Sequence, residues 1–161
     1  MNLFADIRTQ VIADLNAMVD AGQLPANLSF DNVTVEPPRD ASHGDMATNA
    51  AMVLAKPAGL KPRDIADALA ARLATDDLIT AAEVAGPGFL NLSLSASLWQ
   101  GVIGAILKAG TDFGRSTMGE NKKVNVEYVS ANPTGPLHVG HTRGAVFGDA
   151  LASMLDFAGF E

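Results

Sequence analysis

The sequence predicts an α+β domain over residues 1–110, a polar connection at 111–122, and the opening strand–loop–helix of an α/β domain over 123–161. Three observations predict it. Apolar residues recur at helical spacing in Leu3, Ile7, Val11, Leu15 and Met18, and again in Ile65, Leu69 and Leu73. Leu90, Leu92 and Leu94 alternate with Phe89, Asn91 and Ser93 directly after "GPG", the pattern of a hairpin with one buried face. Near the end, the alternating stretch "KVNVEYV" runs into a loop of prolines and glycines and then into a long apolar-periodic segment.

Each element follows in order. The first helix ends near "DAGQLP", where Gly22 and Pro25 break it. "NVTVEPP" is a short strand closed by Pro37 and Pro38. "GDMATNAAMVLAKPAG" is rich in Ala and Met, and predicts a helix capped by Asp45 or Thr48 and stopped at Pro57 and Gly59. "KPRDIADALAARLAT" places Pro62 in the first turn of the next helix. The hairpin follows, then a helix opened by Ser95 or Ser97 that carries Trp99, Val102, Ile103, Ile106 and Leu107. "KAGTDFGRSTMGENKK" is polar and dotted with glycine, as a connection between domains would be. Beyond it, the apolar alternation predicts a buried strand, and "HVGHTRGAVFGDALASMLDFAGF" a long helix.

Composition bounds the function. With 48% hydrophobic and 18% charged residues, the chain is built to fold rather than to remain disordered. It has no cysteine, which excludes disulfides and thiolate chemistry and fits a reducing compartment. The first residues carry acids within their apolar pattern and have no signal-peptide architecture. No apolar run is long enough to span a membrane. The net charge of −7 includes no basic arm, so a polyanion would have to be met by a local patch.

The chemistry concentrates in "ANPTGPLHVGH", which is Ala131, Asn132, Pro133, Thr134, Gly135, Pro136, Leu137, His138, Val139, Gly140 and His141. It holds two of the three histidines in the chain. Residues three apart in a first helical turn face the same way, so His138 and His141 should project together. A helix start offers unpaired N–H groups and partial positive charge, which suits phosphate. Gly140 between them leaves room for a flat base or ribose at the backbone. Strand, tight loop and helix together form the opening unit of a nucleotide-binding α/β fold, whose ligands lie beyond the carboxyl ends of its strands. Two imidazole donors there can stabilise charge growing on an α-phosphate as pyrophosphate leaves, which is the chemistry of adenylation.

Two other readings compete. A zinc pair needs further ligands, and neither cysteine nor a suitably spaced third group is present, so no zinc is expected. The histidines could also simply cap the helix, with no ligand at all.

"VEYVSANPTGPLHVGHTRGAVFGDALA" resembles the active-site segment of arginyl-tRNA synthetases, with "HVGH" standing where class I synthetases carry their HIGH signature. The resemblance is tight from about residue 124 to 151 and loose over the first 110, which resemble that family's additional N-terminal domain. It implies a truncated Rossmann-like catalytic domain after the additional domain. It also implies activation of L-arginine by ATP, with Mg2+, to arginyl-adenylate, and transfer to tRNA(Arg), in a cytoplasmic and monomeric parent enzyme.

The resemblance places His138 and His141 on the ATP phosphates and Gly140 beneath the adenosine. It puts Glu127, Ser130 and Asn132 in the arginine pocket, with Glu127 and Asn132 toward the α-amino end. In the N-terminal domain, "SHGDMATNAA" falls where relatives touch the outer corner of tRNA, often through an aromatic residue. Met46 stands at that position and cannot stack as an aromatic would. Asn49 and Met46 are the candidate tRNA contacts, and His43 reads equally as a surface turn residue. The second class I signature, the KMSKS-type loop, does not occur in the sequence, nor do acids for the guanidinium or a helical anticodon-binding domain. The chain therefore reads as an N-terminal fragment that is inactive alone. Two alternatives stay open: a non-catalytic module that binds the tRNA elbow, and a small HxGH nucleotidyltransferase. The latter is disfavoured because such chains begin with the nucleotide-binding strand.

Overall fold

A computed structural model describes residues 2–161, which divide into two compact units, one ending at Lys108 and one spanning Ala109–Glu161. The first unit is a four-stranded antiparallel sheet covered on one face by helices.

Helix α1 (Leu3–Asp20) is capped by the Asn2 side chain, which accepts from the Ala5 N–H, and buries Ile7, Val11, Leu15 and Met18. Strands β1 (Val35–Glu36) and β2 (Met46–Thr48) pair antiparallel. Helices α2 (Ala50–Ala58) and α3 (Pro62–Leu73) follow, and then the hairpin of β3 (Ile79–Ala85) and β4 (Phe89–Leu94). The strand order is β1-β2-β4-β3. Period-two alternation turns Val35, Thr48, Leu90 and Leu92 toward the helices and leaves Glu36, Ala47, Asn91 and Glu83 as a row across the outer face.

The helix expected to begin near Asp45 starts later. Residues 46–48 form β2, in the middle of the sheet, and Asn49 is the N-cap of α2. Asp45 instead accepts the Leu94 N–H through Oδ2 (2.7 Å), extending the β2–β4 contact by side chain. Thr48, the one buried polar residue among those described, donates from Oγ1 to the Thr34 carbonyl (2.8 Å) and accepts from the Ala50 N–H. Gly44 makes the entry to β2 possible. Its φ is +96°, and a Cβ there would lie 2.7 Å from the Leu92 carbonyl oxygen.

Arg8 of α1 ties down the irregular segment before β1. Its Nε donates to the Val33 carbonyl at 2.6 Å, and its Nη2 donates to the carbonyls of Phe30 and Asp31. Charge-assisted bonds of this kind contribute about 1.5–3 kcal/mol, so Arg8→Met should lower the stability of this unit by about that amount in urea denaturation. An unchanged midpoint would show that water replaces the guanidinium freely.

Helix α4 (Ala96–Ala109) forms as expected, but buries none of its residues; Ile103 and Leu107 are 58% and 79% exposed. Only Leu98, partly buried, joins the first unit's core from its start.

In the second unit, segment 111–122, read from sequence as a connection between domains, is largely exposed chain. It is bonded to the end of helix α5 (Val139–Phe157): the N–H groups of Ser116, Gly119 and Asn121 donate to the carbonyls of Phe157, Ala158 and Gly159. Arg115 lies over the Phe157 ring and pairs with Asp156.

The strand expected after Lys122 is extended, largely exposed chain without a ladder. A strand exists only by pairing, and among the described residues the pairing is confined to one position. Glu161 donates to the Lys122 carbonyl and accepts from the Val124 N–H, a parallel bridge centred on Lys123. Segment 123–130 is therefore joined through α5 to a single parallel contact, Lys123 beside Glu161.

Candidate functional site

From Val129 to His141 the backbone turns repeatedly. The Ala131 N–H donates to the Val129 carbonyl and the Thr134 N–H to the Asn132 carbonyl, giving two three-residue turns centred on Ser130 and Pro133. The fixed φ of Pro133 suits the second. Val129 has φ +57°, a region that β-branched residues rarely enter. Ser130 donates from Oγ to Glu127 Oε1, so these two candidates for the arginine pocket are brought together. Asn132 to Gly140 are exposed, and Ala131 and His141 are partly covered.

His138 is the N-cap of α5 and His141 its third residue. The Gly140 N–H donates to His138 Nδ1 (3.1 Å), and the His138 N–H donates to His141 Nδ1 (3.2 Å). Their rings stack with centroids 3.8 Å apart and planes 24° from parallel. The spacing thus brings the pair together, and each ring also satisfies a backbone donor at the helix start. With Nδ1 accepting, each neutral ring carries its proton on Nε2. Two Nε2–H donors are left for a ligand.

Two expectations change here. Gly140 does lack a side chain for a steric reason, but the space is filled by histidine: a Cβ at 140 would lie 2.9 Å from His138 Cε1. The Gly140 N–H, counted as free for phosphate, is held by His138. Among the described residues, no three His, Asp or Glu side chains cluster as metal ligands, and no helix is long and apolar enough to cross a membrane.

The first unit carries the other candidate site, a groove of about 770 Å³ on the outer side of the sheet. Arg39, His43, Asn49, Phe89 and Asn91 are among its lining residues. Met46 is not. It is fully buried opposite Leu92, because β2 alternates and places Ala47, not Met46, outward, so Met46 cannot touch a nucleic acid. Asn49 reaches the groove, but its amide is already used: Oδ1 accepts from the Thr34 N–H (2.8 Å) and Nδ2 donates to the Asn32 carbonyl. Phe89, 44% exposed, and Asn91 on the same face, together with Arg39, are groove residues that sequence reasoning did not single out as contacts. The signal for Phe89 and Asn91 was the outward register of the hairpin. Asp40 caps the short turn Ala41–His43; the Ser42 N–H and then its hydroxyl hold the Asp40 carboxyl below the ordinary carboxylate range, with His43 adding to the effect.

Comparison with known proteins covers both units. A family model described as the arginyl tRNA synthetase N terminal domain matches residues 5–94, and one described as the class I (R) tRNA synthetase catalytic domain matches residues 102–161. The arginine–tRNA ligase of Ruegeria sp. (strain TM1040) is 74% identical over 161 residues, all of this chain and 28% of the relative. That of Paracoccus denitrificans is 71% identical over the same span. The chain thus spans 28% of the length of these curated relatives. Among solved structures, Thermus thermophilus arginyl-tRNA synthetase is similar over 96% of this chain and 24% of its own, at 28% identity and a TM-score of 0.58. The Plasmodium falciparum arginyl-tRNA synthetase shares the fold at a TM-score of 0.72 and 16% identity, over 99% of this chain and 29% of its own. With more than half of its residues inside the first match, the chain belongs to the arginyl-tRNA synthetase N-terminal domain family and continues into the start of the class I catalytic domain.

Proposed function

We propose that this chain is the amino-terminal part of an arginine–tRNA ligase that activates L-arginine with ATP, taken as its Mg2+ complex, and transfers it to tRNA(Arg) in the cytoplasm. The observation that carries this reading is the histidine pair at the start of α5, in a chain alike over its whole length to relatives of that name. His138 and His141 would present their Nε2–H groups to the ATP phosphates, where hydrogen bonds strengthen as the carboxylate of arginine displaces pyrophosphate. Glu127, Ser130 and Asn132 would hold arginine, with the Glu127 carboxylate suited to its α-ammonium group. The first unit would meet tRNA through the outer groove, where Phe89 offers a surface for a base and Arg39 a charge for phosphate.

The test is arginine-dependent ATP–pyrophosphate exchange, run both with and without tRNA(Arg). An enzyme of the relatives' full length that carries this sequence should catalyse it, and the 161-residue chain alone should give none above background. Groups that act together on one transition state do not retain proportional activity when only some are present. Exchange by the isolated chain would overturn the reading of it as one part of the catalytic apparatus. Exchange driven by another amino acid would overturn the substrate.

A further inference from the structure

Gly148 is the one buried residue of α5 among those described, and the three atoms nearest to a Cβ placed there all belong to one side chain. A Cβ at position 148 would lie 2.2 Å from Tyr128 Cβ, 2.3 Å from Cγ and 2.8 Å from Cδ2. Tyr128 therefore rests directly on the helix backbone. Tyr128 immediately follows Glu127 and precedes Ser130 and Asn132 by only a few residues, whereas His141 and the N-cap His138 lie about 10 Å and about 15 Å from Gly148 toward the start of the same helix.

We propose that Gly148 is a positioning residue: by admitting Tyr128 against the α5 backbone, it sets the spacing between the 127–132 segment and the histidine turn. The inference rests on the functional reading above, in which the first segment holds arginine and the second the ATP phosphates. Val129 supports it independently. Its φ of +57° is strained for a β-branched residue, and such strain persists only where the surroundings fix the chain on both sides. The Tyr128 contact fixes it before, and the turn at Pro133 fixes it after.

Any side chain at 148 has to displace Tyr128 by more than 1 Å to reach ordinary contact, and a misplacement of about 1 Å already costs about 10²-fold in rate. In the full-length enzyme, Gly148→Ala should lower kcat by about 10²-fold while the KM values for arginine and ATP stay within about threefold. A fall in kcat that only tracks lost thermal stability, an effect confined to the KM values, or no fall would overturn the proposal. Tyr128→Ala covers the case in which Gly148→Ala does not fold, because Tyr128 is 40% exposed and its loss empties no core. It should give the same split between kcat and the two KM values, and an effect confined to the KM values would overturn the proposal. The geometry is tested without catalysis in the 161-residue chain, where Tyr128 is the only tyrosine. A nuclear Overhauser contact between its ring and the Gly148 α-protons is expected, and its absence overturns the proposal. If the contact is present but the full-length enzyme does not activate arginine, the functional reading fails and the packing stands.

Discussion

Replacing His141 with alanine in the full-length enzyme is expected to lower single-turnover formation of arginyl-adenylate by about 10²–10³, equivalent to about 2.7–4 kcal/mol. The effect should far exceed any change in arginine binding, because a donor aimed at the phosphates acts mainly as charge accumulates in the transition state. The structure adds a complication and its own control. His141 Nδ1 also accepts the His138 N–H, so alanine removes a helix-start bond together with the Nε2–H donor. Caps of this kind contribute only about 0.5–2 kcal/mol to stability. His141→Asn can supply an oxygen for the cap but no proton at the Nε2 position. If the phosphate donor matters, His141→Asn should stay nearly as slow as alanine while regaining thermal stability. Recovery of the rate with asparagine would show that the histidine serves only the helix. Asn132→Ala should differ from both by raising the KM for arginine, since that side chain would hold the ground state as well. If alanine at 141 keeps the rate within about threefold while Asn132→Ala abolishes it, the roles are reversed.

The elements legible in the sequence are those whose evidence is local. Helices α1 and α3 and the β3–β4 hairpin each bury one continuous face, and the period of Ile7, Val11, Leu15 and Met18, or of Leu90, Leu92 and Leu94, states which. Strand β2 was hidden because its signal is not local. Met46-Ala47-Thr48 runs into an Ala-rich stretch that does become helix, and only pairing with β1 on one side and β4 on the other makes those residues a strand. The strand also decides a functional reading: the resemblance made Met46 a candidate tRNA contact, and the pleat turns it inward. The alternation at 124–128 failed in the opposite direction: the pattern was right for a strand, but only Lys123 finds a partner, at Glu161.

The candidate site divides along the same line. Spacing alone put His138 and His141 on one side of a helix start. It could not disclose that each Nδ1 is taken by a backbone N–H, or that the His138 ring covers Gly140, because both depend on side-chain rotamers. The seat of Tyr128 on Gly148 joins residues twenty apart through tertiary packing, and no periodicity announces it.

Leu92→Ala is expected to destabilise the first unit by about 2–5 kcal/mol, the cost of removing buried methyl groups and leaving a cavity. Leu92 is fully buried at the centre of β4, facing Met46 on one side and Ala82 on the other, so sheet neighbours on both flanks limit collapse into the space. Its carbonyl also accepts the Asp45 N–H at 2.8 Å, and the tight approach of Gly44 depends on the same peptide. A domain holds only about 5–15 kcal/mol in total, so the loss removes a large share of the margin. In urea the midpoint should fall with the slope unchanged, since the surface exposed on unfolding is nearly the same. The functional consequence should be selective. The groove residues Arg39, Asn49, Phe89 and Asn91 are carried by this sheet and its connections, whereas the histidine pair belongs to the second unit. Warming the full-length Leu92→Ala enzyme through the lowered transition should therefore raise the KM for tRNA(Arg) before arginine-dependent pyrophosphate exchange at saturating tRNA(Arg) declines. A stability loss under about 1 kcal/mol would contradict the burial of Leu92, because cavities in unyielding cores cost more than that. Simultaneous loss of exchange and tRNA binding would contradict the assignment of tRNA contact to the sheet.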